Sequence, residues 1–66
     1  MSWYGDLYTI DEFCNLIEKG CINSFDGYGY YSIDGDNEIE LVSFNISDIR
    51  KRSIKKGYRY VWWYNK

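Results

Sequence analysis

Carboxylates are the side chains of this sequence whose spacing could support chemistry. They occur as near neighbours in three places: Asp34 with Asp36, Glu38 with Glu40, and Asp11 with Glu12. Two carboxylates that face each other across a cleft can hydrolyse a glycosidic bond. A chain of 66 residues leaves little room for such a cleft, and it contains no His to serve as the base for a nucleophile. The sequence therefore predicts no enzymatic activity.

Residues 34–40 also have the oxygen-rich character of a calcium-binding loop. An EF-hand loop needs Gly at its sixth position and Glu at its twelfth, but counting from Asp34 gives Ile39 and Asn45. Cys14 and Cys21 lack the additional Cys or His ligands that a structural zinc site requires. We predict no metal and no cofactor, and we interpret residues 34–40 as a solvated turn that leads into an edge strand.

Charge is divided unevenly along the chain. Residues 1–48 contain all ten acidic side chains and a single basic one, Lys19, whereas residues 49–66 contain seven basic side chains and no acidic one. The formal net charge of −2 conceals this separation. Such a field can steer a charged partner, or it can let the basic end lie against the acidic body of the same domain.

Acidic side chains on strands and turns could form a binding surface. Carboxylates in this arrangement can imitate phosphates and occupy a basic groove on another protein. The carboxylates that fit this description are Asp26, Asp34, Asp36, Glu38 and Glu40. The predicted partner-binding residues are Asp34, Asp36, Glu38, Glu40, Tyr28 and Tyr30.

The segment DGYGYY at residues 26–31 resembles the RNA-binding strand of cold-shock domains and RNA-recognition motifs. In those domains aromatic rings on the strand stack on bases. Asp26 replaces the usual basic residue, and the chain opens with a helix pattern where cold-shock domains open with strands. The alternative is structural, with Tyr28 and Tyr30 pairing across strands with the aromatic residues of 58–64.

A basic segment at residues 50–59 is the second candidate surface. Its basic residues are Arg50, Lys51, Arg52, Lys55, Lys56 and Arg59. Together with nearby Tyr and Trp, they could follow a nucleic-acid backbone. The pI near 4.9 is unlike that of a typical nucleic-acid module, so a solvated loop that attracts the acidic body remains the alternative.

The elements that must position these residues begin with a helix over about residues 10–19. Thr9 and Glu12 have the spacing of a capping box, and Gly20 suits the left-handed residue that follows a helix. The apolar residues of this segment fall on one helical face: Ile10, Phe13, Cys14 and Ile17.

Beyond the helix the pattern favours strands. We predict strands at residues 21–25, 28–33, 38–44 and 58–64, with turns at 26–27 and 34–37. Ser47 and Asp48 can cap a single helical turn that carries Ile46 and Ile49, and residues 50–57 read as a loop. Residues 1–8 read as an aromatic lead-in.

The last strand is apolar on both faces, which is typical of a central strand. Alternation places Tyr58, Tyr60, Trp62 and Tyr64 on one face, and Arg59, Val61 and Trp63 on the other. The predicted fold is a single α+β domain over residues 1–66. In it, one N-terminal helix packs on a three- to four-stranded, mostly antiparallel sheet.

No apolar run approaches the roughly 20 residues that span a bilayer, and the start of the chain lacks the features of a signal peptide. We therefore expect a cytoplasmic protein without membrane partners.

Several short segments, in order, resemble small uncharacterised proteins of phages and mobile elements of Gram-positive bacteria. They are the early helix (residues 11–20), the DGYGYY strand (26–31), Ser-Asp-Ile at 47–49 and the ending YVWWYNK (60–66). Tyr60 and Trp62 depart from that pattern, which has His and Val there. The resemblance implies a phage accessory protein that acts inside a bacterial host. Phage accessory proteins of this size often inhibit host defence, as anti-CRISPR proteins do.

These observations predict a non-enzymatic protein that binds and inhibits a host protein or ribonucleoprotein, partly through its acidic surface. The alternative is a single-stranded nucleic-acid-binding module that uses Tyr28, Tyr30 and residues 50–59. A homodimer through the aromatic strand is a third prediction.

Overall fold

The protein is an α+β structure built on one antiparallel sheet. A computed structural model describes residues 5–66. The elements in chain order are β1 (Asp6–Thr9), α1 (Ile10–Glu18), β2 (Gly27–Ser32), β3 (Glu40–Leu41), α2 (Ile46–Lys56) and β4 (Tyr60–Asn65). The four strands lie in the order β1-β4-β2-β3, and every neighbouring pair is antiparallel. The predicted fold class is confirmed, with two helices where the sequence indicated one.

Helix α1 begins at the predicted capping box. The Thr9 hydroxyl accepts a hydrogen bond from the Glu12 amide at 3.1 Å, and the Glu12 carboxylate accepts one from the Thr9 amide at 2.8 Å. These bonds satisfy two amides that a helix start leaves without partners. Gly20 has a φ of 77°, so the left-handed exit from the helix is also as predicted.

The core lies between the sheet and the two helices. Phe13 and Cys14 of α1 and Ile49 of α2 are buried against Val61 and Trp63 of β4. Gly29 of β2 lets Phe13 approach the sheet, because a Cβ there would lie 3.1 Å from the Phe13 ring and 2.9 Å from Val61. One face of the sheet is therefore covered by helices, and we call it the inner face.

The segment at residues 50–57 is not a loop, which corrects the prediction. Residues 46–56 form α2, whose N-cap is Asn45 rather than Ser47 or Asp48. The Asn45 side chain accepts from the Asp48 amide at 2.9 Å, and Gly57 ends the helix with a φ of 79°. Packing of Ile49 and Ser53 against the core supports a helix whose sequence is otherwise strongly basic.

Two predicted strands differ in the structure. Residues 21–25 form no strand. The chain turns over residues 23–26, because the Asn23 side chain accepts hydrogen bonds from the amides of Phe25 and Asp26 and competes with strand pairing. The strand predicted at residues 38–44 is reduced to β3. It stops before Phe44, whose φ of 62° is incompatible with an extended chain.

Strand β4 is central, as its sequence indicates, and lies between β1 and β2. Val61 and Trp63 face the core, while Trp62 and Tyr64 lie on the other side. Tyr58 does not share the face of Trp62, contrary to the prediction. It precedes the strand and stacks on buried Tyr31, with ring centroids 4.5 Å apart. Residues 6–9, interpreted as part of a lead-in, pair with β4 as β1, and residues 1–4 of that lead-in lie outside the described part.

Candidate protein-binding face

The sheet face opposite the helices presents apolar and aromatic side chains. Strand alternation and register place seven of them there, and we call this surface the outer face: Leu7, Tyr28, Tyr30, Leu41, Tyr60, Trp62 and Tyr64. Tyr28 is 38% exposed and Leu41 is 56% exposed. Aromatic side chains gathered on an accessible surface are typical of binding sites.

The aromatic rings of the outer face form one contiguous cluster. Tyr28 lies opposite Tyr64, and Tyr30 lies opposite Trp62. The ring centroids of Tyr28 and Tyr64 are 5.8 Å apart, and those of Tyr30 and Tyr64 are 6.2 Å apart. The predicted cross-strand pairing of Tyr28 and Tyr30 with the last strand is confirmed. These contacts hold the rings in place, so a partner would meet an ordered surface.

An acidic loop at residues 33–39 is fastened to the edge of this cluster. The Trp62 indole Nε1–H donates to the Gly35 carbonyl at 2.9 Å, and the Tyr64 hydroxyl donates to Glu38 Oε1 at 2.6 Å. Tyr and Trp often use their polar atoms in this way while their rings stay apolar. We call this segment the acidic loop.

The acidic loop is also organised internally. The Gly35 amide donates to the buried Ser32 hydroxyl at 2.8 Å, and the Asp36 amide donates to Asp34 Oδ1 at 3.0 Å. Gly35 has a φ of 91°, a conformation that glycine adopts without strain. The loop therefore holds its carboxylates at defined positions beside the aromatic cluster.

A groove of about 340 Å³ lies where the acidic loop meets the outer face. Its walls are formed by Gly5, Gly35, Asp36, Glu38, Trp62 and Tyr64. Two aromatic rings and two carboxylates thus line one concave space, which favours a ligand that is both flat and cationic.

Asp34, Asp36 and Glu38 of the acidic loop form no salt bridge within the described chain. Salt bridges between residues 5–66 engage Asp11, Glu40 and Asp48, and none of them engages Asp34, Asp36 or Glu38. Burial first, and then the hydrogen bond to Glu38 and its negative charge, raise the pKa of Tyr64 to about 12. Two of these unpaired carboxylates, Asp36 and Glu38, border the outer face at the groove.

Glu40 is separated from the other predicted partner-binding residues. It points to the inner side of the sheet, where its carboxylate accepts from the Tyr58 hydroxyl at 2.9 Å and pairs with Arg52 at 2.9 Å. The structure therefore brings together Tyr28, Tyr30, Asp36 and Glu38, with exposed Asp34 on the same loop, and gives Glu40 a structural environment.

The basic residues of 50–59 lie mainly on α2, on the opposite side of the sheet from Tyr28 and Tyr30. Arg50 pairs with Asp11, and Arg52 pairs with Glu40. Exposed Lys51, Lys55 and Lys56 border a shallow groove of about 310 Å³ on the helix surface, together with Asp48 and Arg52. Arg59 instead donates to the Ile33 carbonyl at 3.1 Å. The two halves of the predicted nucleic-acid site do not form one surface.

Sequence reasoning missed five outer-face residues as candidate site residues: Leu7, Leu41, Tyr60, Trp62 and Tyr64. The alternation of residues 58–64 places Trp62 and Tyr64 on one face, but it does not reveal which face the helices cover. Leu7 was not recognised because residues 6–9 were not predicted as a strand. The exposure of these missed side chains follows from the strand order, which the sequence pattern does not specify.

Comparison with known proteins found no matching family, no similar curated protein and no similar solved structure. Neither helix in the described part of the chain is long and apolar enough to cross a membrane. Within residues 5–66, no three Cys, Asp or Glu side chains are grouped so that they could hold a metal ion.

Proposed function

We propose that this protein is a non-enzymatic binding module that uses the outer face and the acidic loop to bind a protein with a basic surface. The observation that carries the proposal is the contact between them. An ordered aromatic cluster lies beside carboxylates that have no cationic partner within residues 5–66.

The two parts of this surface would contribute differently to binding. Buried Tyr and Trp side chains supply most of the affinity at many interfaces. Unpaired carboxylates at the rim attract a basic partner, accelerate association and disfavour acidic competitors. The combination selects a partner that offers apolar groups surrounded by Lys or Arg.

The resemblance to phage and mobile-element proteins supports a host protein, or a host ribonucleoprotein, as this partner. Host-defence complexes that bind nucleic acid expose basic grooves, and an acidic protein could occupy such a groove. Inhibition by occupation needs no catalytic residue, which agrees with a chain that lacks His.

The test is affinity capture with a matched pair of charge variants. Asp36→Lys with Glu38→Lys reverses two charges at the outer face. Glu18→Lys with Asp11→Lys makes the same change in net charge at exposed carboxylates of α1, on the opposite side of the sheet. Proteins captured by the unmodified chain from a bacterial lysate are identified, purified and measured against both variants.

We expect the outer-face variant to lose binding by about tenfold or more, equal to about 1.4 kcal/mol, while the control variant retains it. Circular dichroism should show that both variants are folded. Equal binding by the outer-face variant and the unmodified chain would refute the proposed site.

A second candidate function is single-stranded nucleic-acid binding. The observation that favours it is the group of exposed lysines on α2, Lys51, Lys55 and Lys56, none of which joins a salt bridge within the described residues. Phosphate contacts release counterions, so such binding weakens steeply with salt. Titration of fluorescent DNA and RNA oligonucleotides at several salt concentrations tests this function. Oligonucleotide binding should weaken as salt rises, and Lys51→Ala with Lys55→Ala should weaken it further.

A further inference from the structure

The groove between the acidic loop and the outer face has the composition of a site for a planar cation. Trp62 and Tyr64 form its aromatic wall, with ring centroids 6.4 Å apart and planes inclined by only 21°. Aromatic faces carry negative electrostatic potential and attract Arg, Lys and quaternary ammonium groups. Near-parallel rings best complement a flat group.

The carboxylate wall retains free acceptor atoms. Glu38 uses one oxygen, Oε1, for the Tyr64 hydroxyl, and its second oxygen has no hydrogen bond within residues 5–66. The Asp36 side chain likewise accepts no hydrogen bond from those residues, since only its backbone amide is engaged. A guanidinium group has five N–H donors and commonly bonds carboxylate oxygens in pairs.

Hydrogen bonds within the protein organise the groove. The bonds from Trp62 to Gly35, from Tyr64 to Glu38 and from the Gly35 amide to Ser32 fix its two walls relative to each other. Because each indole or phenol polar atom is already bonded inside the protein, the walls offer ring faces and free carboxylate oxygens. Preorganisation of this kind reduces the entropy lost on binding.

We propose that this groove receives an arginine side chain of the partner protein, with the guanidinium against the rings of Trp62 and Tyr64 and bonded to Asp36 and Glu38. The inference rests on the proposed function and names the chemical group that the partner inserts. Arginine suits the site better than lysine, because an ammonium group is a strongly hydrated point charge without a plane to stack.

Nuclear magnetic resonance can test the groove without the natural partner. The ¹⁵N-labelled protein is titrated with a short capped peptide that holds one Arg between Gly and Ser residues, and with the same peptide carrying Lys. The indole N–H signal of Trp62 reports the groove, because this group donates to Gly35 in its wall. Trp63 is 3% exposed on the inner face, so its indole signal serves as an internal control.

We expect the Arg peptide to shift the Trp62 signal in a saturable manner and the Trp63 signal to remain fixed. The Lys peptide should bind about tenfold more weakly. Asp36→Asn with Glu38→Gln keeps similar shapes and removes both charges, so it should weaken Arg binding about tenfold or more. Glu18→Gln removes an exposed charge from α1 and should leave binding unchanged.

Equal affinity for the Arg and Lys peptides, or undiminished Arg binding by the double variant, would overturn the inference. The outcome is separable from that of the proposed function. Partner capture that depends on the outer face, without any Arg peptide binding, would refute only the arginine site. Arg peptide binding without partner capture through this face would uphold the site and refute the proposed function.

Discussion

The two faces of the sheet carry similar aromatic residues but expose them to solvent to different extents. Trp63 on the inner face is 3% exposed beneath α1, whereas Trp62, its neighbour in the chain, borders an open groove. Tyr31 is completely buried, while Tyr28 on the same strand is 38% exposed. The difference arises because both helices lie on one side, so one face supplies stability and the other remains available for binding.

The tyrosine hydroxyl groups of the two faces also differ in their hydrogen bonding. On the inner face the Tyr31 hydroxyl is buried without a hydrogen-bond partner in the described chain. On the outer face the Tyr64 hydroxyl bonds Glu38 and thereby positions the acidic loop. Since an unpaired buried hydroxyl costs free energy and a paired one does not, the two tyrosines should respond oppositely to the same substitution.

The largest expected effect concerns apolar burial. Phe13→Ala removes a fully buried ring from the inner face and should lower the free energy of unfolding by about 3–5 kcal/mol. Tyr28→Ala on the outer face should cost about 1 kcal/mol or less, since it loses only cross-strand contacts. Urea denaturation followed by far-ultraviolet circular dichroism measures both.

Phe13→Ala could leave the chain unfolded, so Phe13→Leu provides a milder comparison, with an expected loss of about 1 kcal/mol. An equal or larger loss for Tyr28→Ala than for Phe13→Ala would contradict the assignment of stability to the inner face.

A second comparison removes one hydroxyl from each face. Tyr31→Phe should raise the free energy of unfolding by about 1 kcal/mol, because it eliminates a buried polar group without a partner. Tyr64→Phe should lower it by about 0.5–1.5 kcal/mol, because the bond to Glu38 is lost. Thermal denaturation of the two variants beside the unmodified chain gives the signs, and the same sign for both would contradict the comparison.

Alkaline titration distinguishes the two faces, because different neighbouring groups contribute to the raised pKa values of Tyr31 and Tyr64. Burial raises the pKa of Tyr31 to about 12, with a further contribution from the negative charge of Asp48. Burial also raises the pKa of Tyr64 to about 12, and there the hydrogen bond and charge of Glu38 contribute next. Glu38→Gln should therefore lower the pKa of Tyr64 and leave that of Tyr31 unchanged, as tyrosinate absorbance and a Tyr64→Phe control would show.

The same shifts determine how stability changes with pH. The folded protein retains phenol protons that the unfolded chain releases at its ordinary pKa of about 10. Stability from these tyrosines is therefore complete below pH 10 and is lost as pH rises towards 12. A free energy of unfolding that increases over this interval would contradict the environments described for both residues.

The smallest expected effect concerns the salt bridge between the two helices that cover the inner face. Arg50 pairs with Asp11 at 2.6 Å, and both side chains are exposed to solvent. Asp11→Asn should lower the free energy of unfolding only slightly, by less than any other change named here, and the loss should diminish at high salt. A loss that persists at high salt would indicate packing rather than charge, and denaturation at two salt concentrations distinguishes them.

Much of the local structure was predictable because its signals act over a few residues. The capping box of Thr9 and Glu12 and the left-handed Gly20 specify α1 through adjacent backbone groups. The basic helix was missed although Asn45, Lys56 and Gly57 have the residue types that begin and end helices. Its single fully buried apolar residue, Ile49, gave too weak a periodic pattern.

Part of the candidate site was also predictable. Tyr28, Tyr30, Asp36 and Glu38 were predicted from residue type and spacing, and the structure places them on or beside one surface. Glu40 was grouped with them by sequence proximity, yet as the first residue of β3 it faces the inner side and contacts Arg52, whereas Glu38 lies in the loop before the strand. Proximity along a strand does not decide which face a side chain occupies.

By itself, the sequence determined the first helix, the alternation of the last strand and the separation of acidic from basic residues, since these depend on neighbours in the chain. Only the tertiary structure decided that β4 lies between β1 and β2 and that both helices cover the same side. It also decided that Trp62 and Tyr64 hold the acidic loop against the open face. Those arrangements join residues more than twenty positions apart, and their energies arise from contacts that no local pattern encodes.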